Sequence, residues 1–383
     1  MKLDLKLSEA EEMLRKTALG FIKDNTPKLV VQKLQETDTG VTPELWRQMA
    51  GLGWTGIVIP EQYGGAGLSL ENAGVLMEAL GTAPLPGPLF SSSILGSEIM
   101  LAAGNEAQKR RILPSVAAGT RVLALALTEP SYSWEPTGVQ MAAEHQRDGF
   151  VLTGTKLFVM DAAAATDFIV VARTGSGADA AHGLSLLLVD ARSPGISLRR
   201  LDGFLAGRAF EVKFDGVKVP AEAVLGESGA GWAPLQRAIQ LSIPVLCAYK
   251  VGGCQSVFDM CVTYTQQRVQ FGQKIGRFQY VAGLAIEIFN LLESARWTTY
   301  EALWKVSAGR PATESVHVAK AVTSEAYWQA VTLGHQVISG VSFSKEHELT
   351  FHLRASRALY HYLGDPAYHR YQLAKVLVPQ EGL

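Results

Sequence analysis

The chain has 383 residues, of which 48% are hydrophobic, and this length and apolar content suffice for large buried cores in two or three domains. With 35 basic and 36 acidic side chains, the formal net charge of -1 leaves no excess positive charge for binding nucleic acid. The N-terminal segment MKLDLK lacks the apolar core of a signal peptide, and no later apolar run is expected to span a bilayer. Composition therefore predicts a soluble cytoplasmic protein that binds neither nucleic acid nor membranes.

Helix-start signals recur through the first 120 residues. Ser8 followed by Glu11 forms a capping-box pattern, and Thr42 followed by Pro43 is typical of a second helix start. Ser69 is expected to cap a third helix. We therefore predict an all-helical N-terminal domain, residues 1–120. Its last two helical segments are predicted at 92–103 and 106–117.

The middle of the chain changes to short runs rich in β-branched and aromatic residues, separated by Gly, Asp, Pro and Ser. Their spacing is typical of a small antiparallel barrel or sandwich of about 100 residues, which we assign to a middle β domain, residues 121–229. The predicted strands are 122–127, 141–145, 150–159, 168–172, 184–189, 196–198 and 210–217.

From about Gly231 the apolar period is helical again. One long helix is predicted to end at Gln267, and further helices are predicted over 278–306 and 313–338, followed by shorter ones. Four antiparallel helices of this length pack as a bundle, so residues 230–383 are predicted to form a C-terminal bundle domain. The order α, β, α, with no G-x-G-x-x-G motif after a strand, argues against a Rossmann nucleotide-binding domain.

Three cysteines recur every seven residues along the first bundle helix, which places them on one face. We predict that they pack in the core as small hydrophobic side chains. They are Cys247, Cys254 and Cys261.

A turn with the sequence RVQFGQKIGRFQ, residues 268–279, joins the first two long helices of the predicted bundle. It places Arg268 and Phe271 beside Gly272. Because a guanidinium is always charged and forks onto phosphate oxygens, this combination suits a cofactor that carries phosphate and an aromatic ring. The alternative is an ordinary interhelical turn in which Arg268 extends to water.

Five motifs occur in the order and spacing of one enzyme family. They are 59–67 (IPEQYGGAG), 127–130 (LTEP), 154–159 (GTKLFV), 268–279 and 335–346 (HQVISGVSFSKE). Through them the chain resembles, over nearly its full length, the acyl-CoA dehydrogenases, flavoproteins that oxidise acyl-CoA thioesters to 2-enoyl-CoA. The resemblance implies a mostly α fold with an N-terminal helical domain, a middle antiparallel β barrel or sandwich and a C-terminal four-helix bundle.

The resemblance also implies FAD as the cofactor and no metal ion. Thr128 would hydrogen-bond the flavin ring and Phe158 would pack on it, in a motif that begins at Leu127. In this family a neighbouring subunit contacts the pyrophosphate and adenosine, which implies a homo- or hetero-oligomer, typically a dimer of dimers. The residues that would make these contacts are Arg268, Phe271, Gln279, Gln336 and Gly340.

An acyl-CoA substrate and an electron acceptor similar to electron-transfer flavoprotein are implied in the same way, in fatty acid or steroid degradation. The residues expected against the substrate are Ser133, Ser242, Tyr362 and Leu363.

The base that removes the alpha proton is the main departure from the family. Most members carry a glutamate for this step in a Tyr-Glu-Gly-Thr turn, and the aligned residue here is Leu363. A minority place the glutamate on the first long bundle helix, where this chain has Ser242. Asp365 is the leading candidate for a migrated base, with the alternative that it caps a helix beginning at Pro366. Asp161 is a weaker candidate, for which a turn role is the alternative.

Three further positions depart from the family pattern close to the expected cofactor. Trp134 stands where a serine usually follows the Thr-Glu-Pro motif, and Ser339 replaces the first glycine of a pair. Met160 stands where a hydroxyl usually meets the flavin, which removes a hydrogen bond worth about 1 kcal/mol.

Three functions are compatible with these residues. The first is an active acyl-CoA dehydrogenase whose base has moved. The second is the base-less subunit of a heterotetrameric dehydrogenase that acts on bulky acyl-CoAs, such as those with steroid side chains. The third is a binding or scaffold protein that uses the same fold without redox chemistry.

Overall fold

The computed structural model describes residues 7–175, 179–203 and 207–378. Within these residues the chain forms two compact units, each assembled from separate segments. We call the segments up to residue 35, 69–85 and from 243 onward the helical unit, and the segments 36–68 and 86–242 the mixed unit. The stretch predicted as one N-terminal domain contributes helices to both.

Eleven helices of the α type lie in the described part of the chain: α1 (Glu9–Asn25), α2 (Lys28–Glu36), α3 (Pro43–Gly51), α4 (Leu70–Gly81), α5 (Ser97–Ala103), α6 (Glu106–Ala117), α7 (Trp232–Gln267), α8 (Gln279–Ser307), α9 (Thr313–Ile338), α10 (Glu348–His361) and α11 (Pro366–Leu377). The helix starts predicted at Ser8, Thr42 and Ser69 are confirmed, since each hydroxyl accepts a hydrogen bond from a first-turn N–H.

One predicted helix is wound differently from the expectation. Residues Leu89–Gly96 form a π-helix that runs directly into α5, whereas the sequence predicted one helical segment over 92–103. All eight of its residues are buried, so there is no alternation of buried and exposed positions by which the sequence could separate a π-helix from an α-helix.

Ten strands complete the described structure: β1 (Leu123–Ala126), β2 (Ala143–Gln146), β3 (Gly149–Met160), β4 (Asp167–Arg173), β5 (Leu184–Asp190), β6 (Ile196–Arg200), β7 (Ala209–Pro220), β8 (Val224–Leu225), β9 (Val269–Gln270) and β10 (Gln273–Lys274). The first eight form two four-stranded sheets, ordered β1-β4-β5-β8 and β2-β3-β7-β6. Phe168 of one sheet meets Phe214 of the other edge to face, with ring centroids 6.3 Å apart. The predicted sandwich is therefore present in the mixed unit.

The expectation that this sandwich is purely antiparallel is wrong for one pair. β1 and β4 run parallel, with Leu123 opposite Asp167 and Ala126 opposite Val170. Parallel neighbours need a crossover connection, and here β2 and β3 supply it by passing through the other sheet.

Helices α4 and α7 approach closely within the helical unit because glycines line their contact. A Cβ atom at Gly252 would lie 1.9 Å from the carbonyl oxygen of Glu78, and one at Gly81 would lie 2.0 Å from that of Tyr249. Neither position can accept a side chain without separating the helices.

Helix α7 corrects one expectation and confirms another. By length and composition α7 is apolar enough to cross a membrane, whereas no segment of the chain was expected to be. However, 78% of its most apolar window is buried inside the protein, as in a core helix. The predicted packing role of Cys247, Cys254 and Cys261 is confirmed, because all three are fully buried in this helix.

Candidate functional site

Backbone strain marks the predicted site positions in both units. Among the described residues, six that are not glycine have positive φ, which is a sparsely populated conformation that costs about 1–3 kcal/mol each. Such residues cluster at functional sites, where the surrounding structure holds them in place. Each lies at a predicted site residue or within a few residues of one. They are Tyr132, Phe158, Asp161, Phe271, Ser339 and Leu363.

In the mixed unit, Thr128, Tyr132 and Phe158 form what we call the strand-end surface. A register shift in the pairing of β3 with β7 lies between Lys156 and Val159, and it includes Phe158 at φ 55°. The Phe158 ring is 42% exposed and meets Tyr132 edge to face, at a centroid distance of 5.0 Å. The hydroxyl of Thr128 donates to the carbonyl of Leu157, so the predicted ring-contacting residues Thr128 and Phe158 lie side by side.

A buried ion pair supports this surface from behind. Lys156 is fully buried, and its Nζ lies 2.7 Å from Glu129 Oε1 and 3.1 Å from the carbonyl oxygen of Leu127. Burial lowers the pKa of Lys156 to about 8, while Glu129 opposes that shift. Glu129 also accepts hydrogen bonds from the backbone N–H groups of Gln140 and Met141 at 3.0 Å. Lys156 and Glu129 lie within the quoted motifs, but sequence reasoning assigned neither a role.

The carboxylate of Asp161 is engaged inside the mixed unit. Arg208 approaches Asp161 Oδ1 with two guanidinium nitrogens at 3.0 Å, and the hydroxyl of Ser91 donates to Oδ2 at 2.7 Å. Asp161 is also left-handed at φ 56°. These contacts support the turn role, the alternative given for Asp161. Met160, which precedes it, is buried.

The loop after Thr128 contains a buried hydrogen-bond donor that has no acceptor among the described residues. The indole Nε1 of Trp134 is buried and has no hydrogen-bond partner among the described residues. The hydroxyl of the neighbouring Ser133 accepts from the backbone N–H of Glu135 at 3.1 Å. A buried N–H without an acceptor fits a ligand oxygen at this loop.

Ser242 does not replace the missing carboxylate. It is fully buried in α7, and its hydroxyl donates to the carbonyl oxygen of Ala238 at 2.8 Å. This bond to the preceding turn is common for serine inside a helix.

In the helical unit, Arg268, Phe271 and Gln279 form what we call the bundle corner. The strands β9 and β10 pair antiparallel around a two-residue turn in which Phe271 and Gly272 both have positive φ, at 50° and 76°. That geometry belongs to a type I′ hairpin turn, which normally selects Asn or Gly rather than Phe. The turn leaves the Phe271 side chain 93% exposed, in edge contact with the ring of Phe278.

Arg268 and Gln279 lie at the two ends of this hairpin segment. Both are exposed, and Arg268 forms no ion pair with any residue that the structure describes. The carbonyl oxygen of Arg268 accepts from the N–H of Ile275 at 2.9 Å, which closes the corner. A guanidinium that has no ion-pair partner among the described residues and lies beside an exposed ring suits a ligand with phosphate and an aromatic group.

The predicted contacts Gln336 and Gly340 lie at the end of α9. Both are exposed, and a Cβ atom at Gly340 would meet nothing within 4 Å, so the backbone is open to a ligand there. Ser339 between them has φ 65° and ψ -151°, a conformation that normally requires glycine. His335 stacks on Phe343 at 4.6 Å, and its buried Nε2 has no partner within the described ranges.

The turn that carries Leu363 is held by buried donors from two helices. Leu363 has φ 59° and is 2% exposed, and Gly364 follows at φ 94°. Lys320 Nζ of α9 donates to the carbonyl oxygen of Gly364 at 2.6 Å, and His369 Nε2 of α11 donates to that of Leu363 at 2.9 Å. We call Lys320 and His369 the turn clamp.

Each member of the turn clamp has a second hydrogen-bond partner. His369 Nδ1 faces His317 Nδ1 at 2.9 Å, and because His369 donates through Nε2 its Nδ1 accepts from His317. Lys320 shares the hydroxyl of Ser324 with Lys250, at 3.2 and 2.8 Å. Burial lowers the pKa of His369 to about 2 and that of Lys250 to about 8, and it lowers the pKa of Lys320 strongly.

Asp365 takes the helix-capping position that was the alternative to a catalytic role. Its Oδ1 accepts from the N–H of Tyr368 at 2.8 Å, with Pro366 in the first turn of α11. The other oxygen lies 4.0 Å from His361 Nδ1. The cap confirms the predicted start of α11, and the catalytic role of Asp365 stays a prediction.

Comparison with known proteins gives matches over nearly the whole chain. Models of acyl-CoA dehydrogenase domains match in order: the N-terminal domain at residues 8–120, the middle domain at 124–217 and the C-terminal domain at 229–378. A short-chain-specific acyl-CoA dehydrogenase from Megasphaera elsdenii is 29% identical over 94% of this chain and 96% of its own. The mitochondrial isovaleryl-CoA dehydrogenase of Pongo abelii is 32% identical over 77% of this chain and 71% of its own.

Solved structures agree with these matches. Butyryl-CoA dehydrogenase from Megasphaera elsdenii has a TM-score of 0.91 at 27% identity, covering 98% of this chain and 100% of that one. A structure of PigA with FAD and proline has a TM-score of 0.89 at 25% identity, covering 98% and 99%. The resemblance drawn from the five motifs and the mostly α fold that it implied are confirmed: the chain belongs to the acyl-CoA dehydrogenase family.

Proposed function

We propose that this protein is an FAD-dependent oxidoreductase that converts an acyl-CoA thioester to a 2-enoyl-CoA. The observation that carries the proposal is the strand-end surface, where the ring of Phe158 is exposed and strained beside Thr128. Residues held in sparsely populated backbone conformations cluster at functional sites, and a planar ring system would cover the exposed ring of Phe158. Relatives with this fold include structures with FAD bound.

The strand-end surface and the bundle corner fit opposite ends of FAD, each on a different molecule of the cofactor. Phe158 would pack against the flavin, and Thr128, whose hydroxyl proton is donated to the Leu157 carbonyl, would accept a hydrogen bond through its hydroxyl oxygen. Trp134 Nε1 has no acceptor within the described residues. Arg268 and Phe271 of the bundle corner would take the phosphate and adenosine end. When bound, FAD supplies the acceptor for the hydride that leaves the beta carbon.

We propose that the bundle corner serves the FAD of a second acyl-CoA dehydrogenase subunit. An exposed apolar face on α8 supports this association, since Ile286 is 60% exposed, Phe289 44% and Trp297 47%. Large exposed apolar residues along one helix are typical of a surface covered by another subunit. A dimer of dimers would cover this face in every copy.

The first test is the visible spectrum of the purified protein with and without acyl-CoA. A yellow protein whose flavin bleaches on addition of an acyl-CoA under anaerobic conditions supports the proposed activity. A protein that stays colourless in excess FAD contradicts it and favours a scaffold without redox chemistry.

A second candidate is the base-less subunit of a heterotetramer that acts on bulky acyl-CoAs of the steroid side-chain type. Three observations favour it: Leu363 occupies the base turn, the Ser242 hydroxyl is bonded within its own helix, and Asp365 caps α11. Under this proposal the partner subunit supplies the carboxylate, and this chain completes the partner's FAD site. Copurification with a homologue that retains the glutamate tests it, and full flavin loading with turnover by the lone chain would contradict it.

We also propose a cytoplasmic location and an acceptor similar to electron-transfer flavoprotein. A relative from Acetobacterium woodii that is 27% identical to this chain is named as a subunit of a caffeyl-CoA reductase-Etf complex, which supports such an acceptor. Turnover that depends on added electron-transfer flavoprotein is the expected result.

A further inference from the structure

The loop that follows β1 is joined to β3 by polar contacts just before Phe158. The backbone N–H of Leu157 donates to the carbonyl oxygen of Thr128 at 2.8 Å, and the Thr128 hydroxyl donates back to the Leu157 carbonyl. The third contact is the buried ion pair of Lys156 with Glu129, at 2.7 Å. The loop and this part of β3 are therefore fixed relative to each other.

Tyr132 closes a turn in this loop. Its backbone N–H donates to the carbonyl oxygen of Glu129 at 2.8 Å, and Pro130 takes the second position of the turn, where proline is favoured. Tyr132 itself has φ 51°, a conformation that persists only where surrounding contacts impose it. Glu129 thus binds Tyr132 through its carbonyl oxygen and Lys156 through its carboxylate.

The side chain of Tyr132 lies against that of Phe158. The two rings meet edge to face, with centroids 5.0 Å apart and planes at 74°, which is a preferred arrangement for aromatic pairs. Tyr132 is 38% exposed and Phe158 is 42% exposed, so the core does not enclose either ring. The orientation of the Phe158 ring therefore depends on its contact with Tyr132.

We propose that Tyr132 is a positioning residue for the cofactor, because its ring holds the ring of Phe158 in the orientation on which a flavin stacks. This inference rests on the proposed FAD-dependent function and gives a role to a residue that was not among the predicted contacts. It also gives a role to the buried pair of Lys156 and Glu129, which keeps the loop and the strand at the spacing that brings the two rings together.

The test measures the Kd for FAD by quenching of flavin fluorescence, which needs no turnover. Tyr132→Ala removes the ring that supports Phe158 and should raise the Kd about threefold to tenfold, the range that corresponds to one aromatic pair. Tyr132→Phe keeps the edge-to-face contact, so its Kd should equal that of the wild-type protein.

A double-mutant cycle shows whether Tyr132 acts through Phe158. Phe158→Ala should raise the Kd by itself, and adding Tyr132→Ala to that variant should raise it no further, because the ring to be positioned is already absent. Additive losses would mean that Tyr132 contacts the cofactor directly and would overturn the positioning role.

Two further variants separate this effect from a general loss of folding. Leu198→Ala removes a side chain that is 42% exposed on β6 of the same unit, and it should leave the Kd unchanged. Tyr132→Leu keeps apolar volume without an aromatic edge and should show the same loss as Tyr132→Ala, so it replaces the alanine variant if that variant does not fold.

Equal Kd values for the wild-type protein and Tyr132→Leu would overturn this inference and leave the proposed function intact. A loss in Tyr132→Phe as large as that in Tyr132→Ala would also overturn it, because the ring contact would then not be the cause. Failure of the wild-type protein to bind FAD would overturn the proposed function together with the inference.

Discussion

The Nζ atom of Lys320 lies 2.6 Å from the carbonyl oxygen of Gly364, the residue that follows Leu363. With the bond from His369 to the Leu363 carbonyl at 2.9 Å, it holds Leu363 at φ 59°, a conformation that leucine alone would avoid. The turn clamp therefore sets the backbone of position 363 whichever side chain the position carries.

Because the clamp acts on the backbone, Leu363→Glu should place a carboxylate on an intact turn. The carboxylate would take the alpha proton, the beta hydrogen would leave with its electron pair to bound FAD, and a carbon–carbon double bond would form. We expect enoyl-CoA formation to rise at least about 100-fold over the wild-type chain, within the usual range for a positioned base. The measurement is enoyl-CoA yield by mass spectrometry.

Leu363→Gln is the control for that gain, because it has the shape of glutamate without a basic carboxylate. Equal turnover by the glutamate and glutamine variants would show that proton removal does not pass through position 363. If the turn clamp positions the turn, adding His369→Ala to the Leu363→Glu variant should abolish the gain in enoyl-CoA formation. Replacing that alanine by glutamine, as His369→Gln, should restore the gain.

Two substitutions at Asp365 distinguish its capping role from its proposed catalytic role. Asparagine caps helices as well as aspartate does but cannot accept the alpha proton, whereas alanine removes the cap. We expect Asp365→Asn to leave stability and turnover unchanged and Asp365→Ala to lower the free energy of unfolding by about 1 kcal/mol. Loss of turnover in the asparagine variant, with stability intact, would instead identify Asp365 as the base.

Arg268 should dominate the affinity for FAD at the bundle corner. Removing a guanidinium that forks onto phosphate costs roughly 2 kcal/mol, so Arg268→Ala should raise the Kd for FAD about 30-fold. Lysine should not restore the affinity, because a single ammonium cannot replace the planar fork. The Kd is measured by quenching of flavin fluorescence, with the nearby exposed Arg277→Ala as the control, which should change the Kd little.

The lowered pKa of the buried Lys250 predicts that this residue contributes more to stability as the pH rises on the alkaline side. Burial lowers the pKa of Lys250 from 10.5 to about 8, so between these values the unfolded chain binds more protons than the native protein. The contribution of Lys250 to the free energy of unfolding should therefore increase with pH across that window, by up to about 1.4 kcal/mol per pH unit for one proton, while the raised pKa values of the buried Cys247 and Cys254 act in the opposite direction. The difference in unfolding free energy between the wild-type protein and Lys250→Met, measured by urea unfolding at pH 7 to 10, should grow across this window by the Lys250 contribution.

Arg208 should contribute strongly to the stability of the mixed unit. Its side chain is 12% exposed and that of Asp161 is 6% exposed, so Arg208→Ala would leave a buried carboxylate without its cation. We expect a loss of about 3 kcal/mol in the free energy of unfolding. Arg199→Ala breaks an exposed pair with Glu211 and should cost less than about 1 kcal/mol. Equal losses in the two variants would contradict this assignment.

The sequence predicted most helices, strands and capping residues because these depend on local patterns. Ser8, Thr42, Ser69 and the exposed Phe271 were all found where local signals suggested them. The parallel pairing of β1 with β4 was missed because strand direction depends on a connection through another sheet.

Long-range polar contacts were the second kind of feature that could not be predicted from the sequence. Lys320 reaches Gly364 across 44 positions and Arg208 reaches Asp161 across 47, and neither pair has a spacing signal in the sequence. The buried ion pair of Lys156 was invisible for the same reason, since satisfaction of a buried group is a property of the packed structure.

The chain passes between the helical and mixed units four times, at residues 35/36, 68/69, 85/86 and 242/243. During synthesis, α1 and α4 therefore emerge from the ribosome long before α8, which belongs to the same unit. Expression of residues 1–242 alone would leave those early helices without the glycine-lined surface of α7, and such a fragment should aggregate unless a chaperone retains it.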